Sequence, residues 1–371
     1  MEAPAPLLPY WSWPILAAGV SALGTALAIG YARRRALIDQ PGRRRSHSVP
    51  TPRGGGIGIV VAALGLLGLL AVGASAAQQL ALAGLASGLS AVAAVGWWDD
   101  HRSLPAWPKL AVHLLASVVC IACGPEALAI SAGGPAHADL AATLGSAIVA
   151  VLALVWSVNL HNFMDGSNGL LAGQTAFVLG VLAALGAPGL SPGERAVCLG
   201  LAAAALAFLP FNFPRARVFM GDVGSGSLGL LVAAAALGSA QGRLWPLVLI
   251  LDSAFVVDSA ATLAVRVVRG RRWYSAHREH LYQWLVRGGF SHARVAGLYA
   301  LWNLCVALPC ALLYLHWCDL ALPPAGRATL MPCAPAAAVV GGELLLGGTL
   351  WWAGKRWCLR RARRTGANHA D

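Results

Sequence analysis

Charge is scarce in this chain: only 11% of its 371 residues are Asp, Glu, Lys or Arg, where a soluble chain carries about a quarter. That shortage leaves too little polar side chain to clothe a water-facing surface. Disorder is excluded by the opposite excess, because 58% of the residues are hydrophobic and the mean hydropathy is +0.66. Lysine is nearly missing, with all but two of the 27 basic residues being Arg. The eight Cys are scattered. Cys120 and Cys123 form a C-x-x-C, but no second pair follows at zinc-site spacing and no thioredoxin-like context surrounds it. A Cys318–Cys333 bridge on the outer side stays open. A 20–50-residue repeat, the inverted repeat of a transporter and a loop long enough for a second soluble domain are all lacking.

What is present is lipid-length apolar sequence. A span needs about 20 apolar residues, and such runs occupy 11–30, 57–98 (two spans with a turn at 74–79), 110–130, 140–160, 169–185, 196–211, 224–240, 244–265, 295–318 and 335–354. The expectation is an all-α polytopic membrane protein of eleven transmembrane helices. Trp11, Trp13, Trp97, Trp98, Trp107, Trp351 and Trp352 fall near the expected ends, where indole rings favour the headgroup layer. No Lys or Arg precedes the first run, so it does not read as a cleavable signal peptide.

The charges test this alternation. Of the 27 basic residues, all but Arg195, Arg243 and Arg327 fall in one set of loops, namely 31–56, 99–109, 161–168, 212–223, 266–294 and the tail. Basic loops face the cytoplasm, which puts the N-terminus outside and the C-terminus inside. The net charge of +12 and pI of 9.9 therefore describe topology and give no reason to invoke nucleic acid.

Asp99, Asp100, Asp165 and Asp222 sit at helix ends on that same face. Carboxylates at a membrane boundary are expensive when buried, and function is their default reading; interfacial solvation is the plain alternative. A carboxylate cluster with arginines at 43–45, 53, 215, 217 and 278 suits a hard cation and a phosphate. Mg²⁺ takes oxygen ligands and completes its shell with substrate phosphates, and guanidinium forks match phosphate oxygens. The run Gly54-Gly55-Gly56-Ile57-Gly58 is neither G-x-G-x-x-G nor a Walker A loop. Its amides suit a phosphate at a helix N-terminus or close helix packing, with equal weight. His277-Arg278-Glu279-His280 lacks the H-E-x-x-H spacing and a third soft ligand, which disfavours zinc. Asp252 and Glu343 lie deep in their spans and pair with polar neighbours on this reading, while Asp258 is open to either role.

Five ordered blocks carry a resemblance. They are S-H-S-V-P-T-P-R-G-G-G at 46–56, D-D-x-x-S-L-P at 99–105, N-F-M-D-G at 162–166, F-N-F-P-R-A-R-V-F-M-G-D-V-G-S at 211–225 and H-R-E-H-L-Y-Q at 277–283. From about Asp39 to Tyr299 the chain resembles the polyprenyl-phosphate N-acetylhexosamine-1-phosphate transferases (glycosyltransferase family 4), more closely the branch that initiates O-antigen than the one serving peptidoglycan. The resemblance implies one membrane-embedded transferase domain over 1–371, with motifs in 39–299, C-terminal helices in 295–354 and a basic cytoplasmic tail at 355–371. It implies transfer of a sugar-1-phosphate from a UDP-N-acetyl sugar to undecaprenyl phosphate at the cytoplasmic face of a bacterial inner membrane. UMP is released, with Mg²⁺ as cofactor and Mn²⁺ as a substitute. A homodimer is left open, and a membrane transporter with an interfacial carboxylate ion site is the rival reading.

By the same resemblance Asp222 would hold the metal, with Asp99 and Asp100 beside it. Asp99 would act as a base, orient the lipid phosphate or form a covalent intermediate. Phe219 would stack on uracil, Asn212 and Asp165 would line the nucleotide pocket with Asn162 and Arg53 nearby, and His277, Arg278 and His280 would meet the sugar phosphate. Two departures stand out. Asn168 replaces a second Asp found in many relatives; it would accept from the uracil N3–H or merely cap the helix starting at Gly169. The H-R-E-H block replaces a run of consecutive histidines, which disfavours a muramyl-pentapeptide substrate.

Overall fold

A computed structural model of the protein describes residues 6–40, 49–124, 140–185, 190–237, 244–272, 277–320 and 334–364. These form α1 (Trp13–Arg34), α2 (Ile57–Ala71), α3 (Ala76–His101), α4 (Ala106–Cys123), α5 (Leu140–Met164), α6 (Leu170–Ala184), α7 (Pro192–Asn212) and α8 (Asp222–Leu237). Then follow α9 (Leu244–Leu251), α10 (Ser253–Val268), α11 (Leu281–Arg287), α12 (His292–Trp302), α13 (Leu308–Leu320) and α14 (Ala334–Arg364). Local chemistry sets several starts. Ser75 with Gln78 and Ser191 with Glu194 each make a reciprocal capping box ahead of α3 and α7.

Each of the eleven apolar runs contains helix, but among the described residues seven helices are long and apolar enough to cross a membrane, or eight with the bent pair α9–α10. The helices α2, α6 and α8 have 15, 15 and 16 residues. At about 1.5 Å per residue they fall short of a hydrocarbon layer about 30 Å thick. The outer helices present apolar side chains outward, among them Ile15, Leu23 and Leu27 on α1 and Ile148, Val149 and Leu152 on α5. Such a surface needs lipid as its solvent.

Three local features differ from the sequence expectation. The run 244–265 is broken at Asp252, where α9 and α10 meet at 77°. Gln174 Nε2 serves the break by donating to Leu251 O (3.0 Å) and Asp252 Oδ1 (3.2 Å), since freed backbone groups inside a membrane need internal partners. Between α12 and α13 the residues Asn303–Ala307 form a π-helical turn just before Pro309, whose ring would otherwise press on the preceding turn. The basic tail expected from 355 begins as helix, because α14 runs to Arg364. Three of its cations lie over an indole four residues earlier: Lys355 over Trp351, Arg356 over Trp352 and Arg361 over Trp357. Residues 365–371 and Cys333 lie outside the described part, as do the Cys318 side chain and Arg43–Arg45.

The helix α8 is the centre of the bundle. Twelve of its residues, from Val223 to Ala236, are buried, and α2, α3, α5, α6 and α9 pack around it. At Gly96 on α3, an added Cβ would come within 2.5 Å of the Asp222 carbonyl group. Only a glycine permits that approach, which sets the α3 end carrying Asp99 and Asp100 against the α8 start carrying Asp222. A two-stranded antiparallel pair, Ile38–Asp39 with Thr51–Pro52, is the one departure from all-helical structure among the described residues.

Candidate active site

The ends of these elements enclose a cavity of about 350 Å³. Asp100 from α3, Asp165 from the α5–α6 loop and Asp222 from α8 line it together with Arg53 and Arg278. Asp39, Asn168, Asn212, Phe219, Gln283 and Arg287 complete most of the wall. Acidic and basic groups thus share one half-open cleft.

The aspartates differ in how they are held. Asp100 caps the start of α8, its Oδ1 accepting from Asp222 N (3.2 Å) and its Oδ2 from Val223 N (3.3 Å). A carboxylate at a helix N-terminus answers both free amides and the helix dipole. Asp222 Oδ2 accepts from Lys109 Nζ at 3.0 Å, and the same ammonium stands 3.2 Å from Asp99 Oδ2. Asp99 Oδ1 accepts from Leu104 N (2.7 Å). The Asp165 carboxylate receives no hydrogen bond from the described residues. Its pKa is raised well above the ordinary value by burial and by Asp222 and Asp100, against a pull from Arg53. Arg53 in turn pairs with Asp39 Oδ2 at 2.8 Å.

Several side chains fix the walls. Asn212 spends its amide on the protein, Oδ1 accepting from Gly169 N (2.6 Å) and Nδ2 donating to Val218 O (3.0 Å). Asn168 Nδ2 donates to Pro214 O (3.1 Å). The cap reading for Asn168 therefore fails: Gly169 is itself the N-cap of α6, at φ 74°, with no side-chain cap bond. Gly55 N and Gly56 N donate to Phe219 O (3.0 Å) and Met220 O (2.9 Å). Those amides join the chain to the 219–220 segment and are not turned to a phosphate, which decides for close packing at the Gly run.

Eight of the residues singled out in the sequence line the cavity: Arg53, Asp100, Asp165, Asn168, Asn212, Phe219, Asp222 and Arg278. Four do not. Asp99 stands behind, tied to Lys109, and Asn162 lies beside Asp222. His277 and His280 turn inward and stack on each other at 5.0 Å, with Phe163 at 5.9 Å from the His280 ring. Burial, aided by His280 and Arg266, pushes His277 down to about 4, and both of its ring nitrogens are buried without a hydrogen-bond partner among the described residues. Arg215 is exposed, and Arg217 donates to Pro210 O (2.7 Å) over the Phe211 ring.

Sequence reasoning missed Lys109 and Tyr282. Lys109 is one of two lysines in the chain and stands ten residues after Asp99 in the same basic loop, a signal that could have been weighed. Tyr282, 1% exposed, donates to Phe163 O (2.8 Å) and clamps the backbone before Asp165. Asp258 also proves structural, its Oδ1 accepting from Leu281 N (2.7 Å) and Oδ2 from Tyr299 OH (2.8 Å). Asp252 and Glu343 pair as expected, with Gln174 and with Ser253 Oγ (2.6 Å).

The donors facing the cavity are oxygens, the set a hard cation prefers. Among the described residues no three His, Cys, Asp or Glu side chains converge enough to hold an ion alone. The site therefore fits a cation such as Mg²⁺ that takes one or two carboxylates and draws its other ligands from phosphate and water.

Fold and site define a polytopic membrane protein with an acidic and arginine-lined cleft where several helix ends meet. Residues 82–240 match glycosyl transferase family 4. The chain is 33% identical to the decaprenyl-phosphate N-acetylglucosaminephosphotransferase of Mycobacterium leprae (strain TN), over 78% of this chain and 79% of that one. It is 32% identical to the protein of the same name from Mycolicibacterium smegmatis, over 76% and 77%. It is 31% identical to the phospho-N-acetylmuramoyl-pentapeptide-transferase of Synechococcus sp. (strain JA-3-3Ab), over 81% and 92%. The chain belongs to the polyprenyl-phosphate N-acetylhexosamine-1-phosphate transferase family.

Proposed function

We propose that this transferase moves an N-acetylhexosamine-1-phosphate from its UDP donor to undecaprenyl phosphate, releasing UMP with the help of Mg²⁺. The observation that carries the reading is one cavity in which Asp100, Asp165 and Asp222 face Arg53 and Arg278. Phosphoryl transfer needs positioning and charge neutralisation more than covalent help. Arg53 and Arg278 supply forked donors for the diphosphate, Phe219 a ring for the base, and Asn168 its amide oxygen for uracil N3–H. Asp222, with Asp165 or Asp100, would hold Mg²⁺, which when bound neutralises phosphate charge. A lipid phosphate is already anionic near neutral pH and needs little from a general base, and Asp99 with Lys109 holds Asp222 in position from behind the wall. The names of the mycobacterial relatives favour an N-acetylglucosamine donor. The H-R-E-H block in place of a histidine run argues against a pentapeptide-type donor, and the product we propose starts O-antigen or another surface polysaccharide.

The test is UMP release by purified protein against a panel of UDP-sugars, with undecaprenyl or decaprenyl phosphate and with Mg²⁺ present or chelated. Release independent of both lipid phosphate and Mg²⁺ would sink the reading. Asn168→Leu is expected to raise the donor KM about 5- to 150-fold, the cost of stranding a buried base donor. A lowered Tm with unchanged KM would instead reduce Asn168 to its tie with Pro214.

The basic loops support a cleft that faces the cytoplasm, and we read the membrane as the bacterial inner membrane with the N-terminus outside. In a cysteine-free variant, an impermeant thiol reagent applied to intact cells should label Ser191→Cys and spare Ser103→Cys. The reverse pattern would overturn this orientation.

A further inference from the structure

Two side chains of α14, one helical turn apart, reach the segment that carries Arg278. Lys355 is only 8% exposed; its Nζ donates to Glu279 O at 3.1 Å and lies 4.5 Å from the centre of the Trp351 ring. Trp351 Nε1 donates to Asp258 Oδ1 at 2.9 Å, and Asp258 accepts in turn from Leu281 N (2.7 Å) and Tyr282 N (3.3 Å). Residues four apart project from the same helix face, so one face of α14 holds both ends of the 279–282 segment. Arg266 and Arg271 grip the Glu279 carboxylate from the other side, and burial, which alone would raise its pKa, is overcome by these arginines so that it stays charged. The preceding residue, Arg278, faces the cavity, and its carbonyl accepts from Arg287, which lines the same cavity.

A lysine is a costly way to fill this space. Burying an ammonium is unfavourable unless it is hydrogen-bonded, and an apolar residue would pack on Trp351 as well. What the ammonium adds is a directed bond to one main-chain oxygen, next to the arginine that enters the cavity.

We propose that Lys355 is a positioning residue: through the Glu279 carbonyl it sets where the Arg278 guanidinium stands, and so tunes affinity for the donor's diphosphate. The proposal rests on the reading of Arg278 as a phosphate contact. It also gives the C-terminal helix, 77 residues further along the chain, a part in donor binding.

The test compares Lys355→Met, which keeps the stem on Trp351 and removes the ammonium, with Lys355→Arg, which restores a donor. Purified full-length variants are assayed for UMP release with the donor and polyprenyl phosphate varied separately, and melted in the same detergent. Lys355→Met should raise the donor KM roughly tenfold, the scale of one lost charged hydrogen bond, leaving kcat, the lipid KM and Tm close to wild type. Lys355→Arg should recover most of that loss. Arg278→Ala should raise the donor KM on its own, and Lys355→Met should add nothing in that background, as expected for two residues acting as one unit. If Arg278→Ala raises the donor KM and Lys355→Met does not, the positioning role alone is overturned. The same holds if Lys355→Met acts undiminished on the Arg278→Ala background, or lowers Tm and kcat with KM unchanged. If Arg278→Ala leaves the donor KM unchanged, the phosphate reading of Arg278 fails and takes the proposal with it.

Discussion

Asp222→Asn is expected to lower UMP release about a hundred- to a thousandfold, the range for losing one preorganised charge-stabilising group from an active site. Asp222 is the first residue of the buried α8 and faces the cavity, with its carboxylate against Lys109. The amide keeps the shape and can still accept from Lys109, so Tm should change little. What disappears is the negative charge that a hard cation needs. Lys109 would then face Asp99 alone, and the local balance of one ammonium between two carboxylates becomes one against one. Titrating Mg²⁺ separates weakened binding from lost chemistry. Activity within about tenfold of wild type at saturating Mg²⁺ would remove Asp222 from the metal role.

Gly221→Ala should cost about a hundredfold in kcat/KM, although no functional group is lost. Gly221 has φ +78°, a region where a side chain strains the backbone by about 1–2 kcal/mol. Its added Cβ would also fall on the Asp100 carboxylate. Asp100 must then leave the amides of Asp222 and Val223, and Asp100 and Asp222 shift together. A displacement near 1 Å at a reacting centre can cost about 10²-fold. Gly221→Ala with wild-type kinetics would show that the Asp100 cap is dispensable.

The helices were legible because lipid solvation demands long apolar runs, and each run does contain helix. The break at Asp252 was not legible. One carboxylate in an apolar run reads as a buried polar residue, and the partner that allows the bend, Gln174, lies 78 positions away on α6. Nor did hydropathy distinguish α2, α6 and α8 from full-length spans, since a short helix wrapped by others is as apolar as one in lipid. At the site, motifs placed Asp100, Asp165, Asp222, Phe219, Asn168, Asn212, Arg53 and Arg278 at one cavity, because Gly-framed turns at helix ends mark where backbone reverses. Motifs did not tell inward from outward within a block. Arg278 enters the cavity while His277 and His280 on either side stack into the interior, a choice made by Asp258 and Phe163 from other helices.

The placement of Asp222 on the most enclosed helix has a consequence for how such a protein can diversify. Behind Asp222, the close backbone approaches at Gly96 and Gly224 leave no space for an added side chain, so the carboxylate end of the cleft has little room to vary. The 277–287 segment hangs from a few tethers, Lys355, Asp258 and Tyr282 among them, and borders lighter packing. New donor preferences can therefore accumulate there by altering tethers one at a time, while the reaction itself is inherited unchanged.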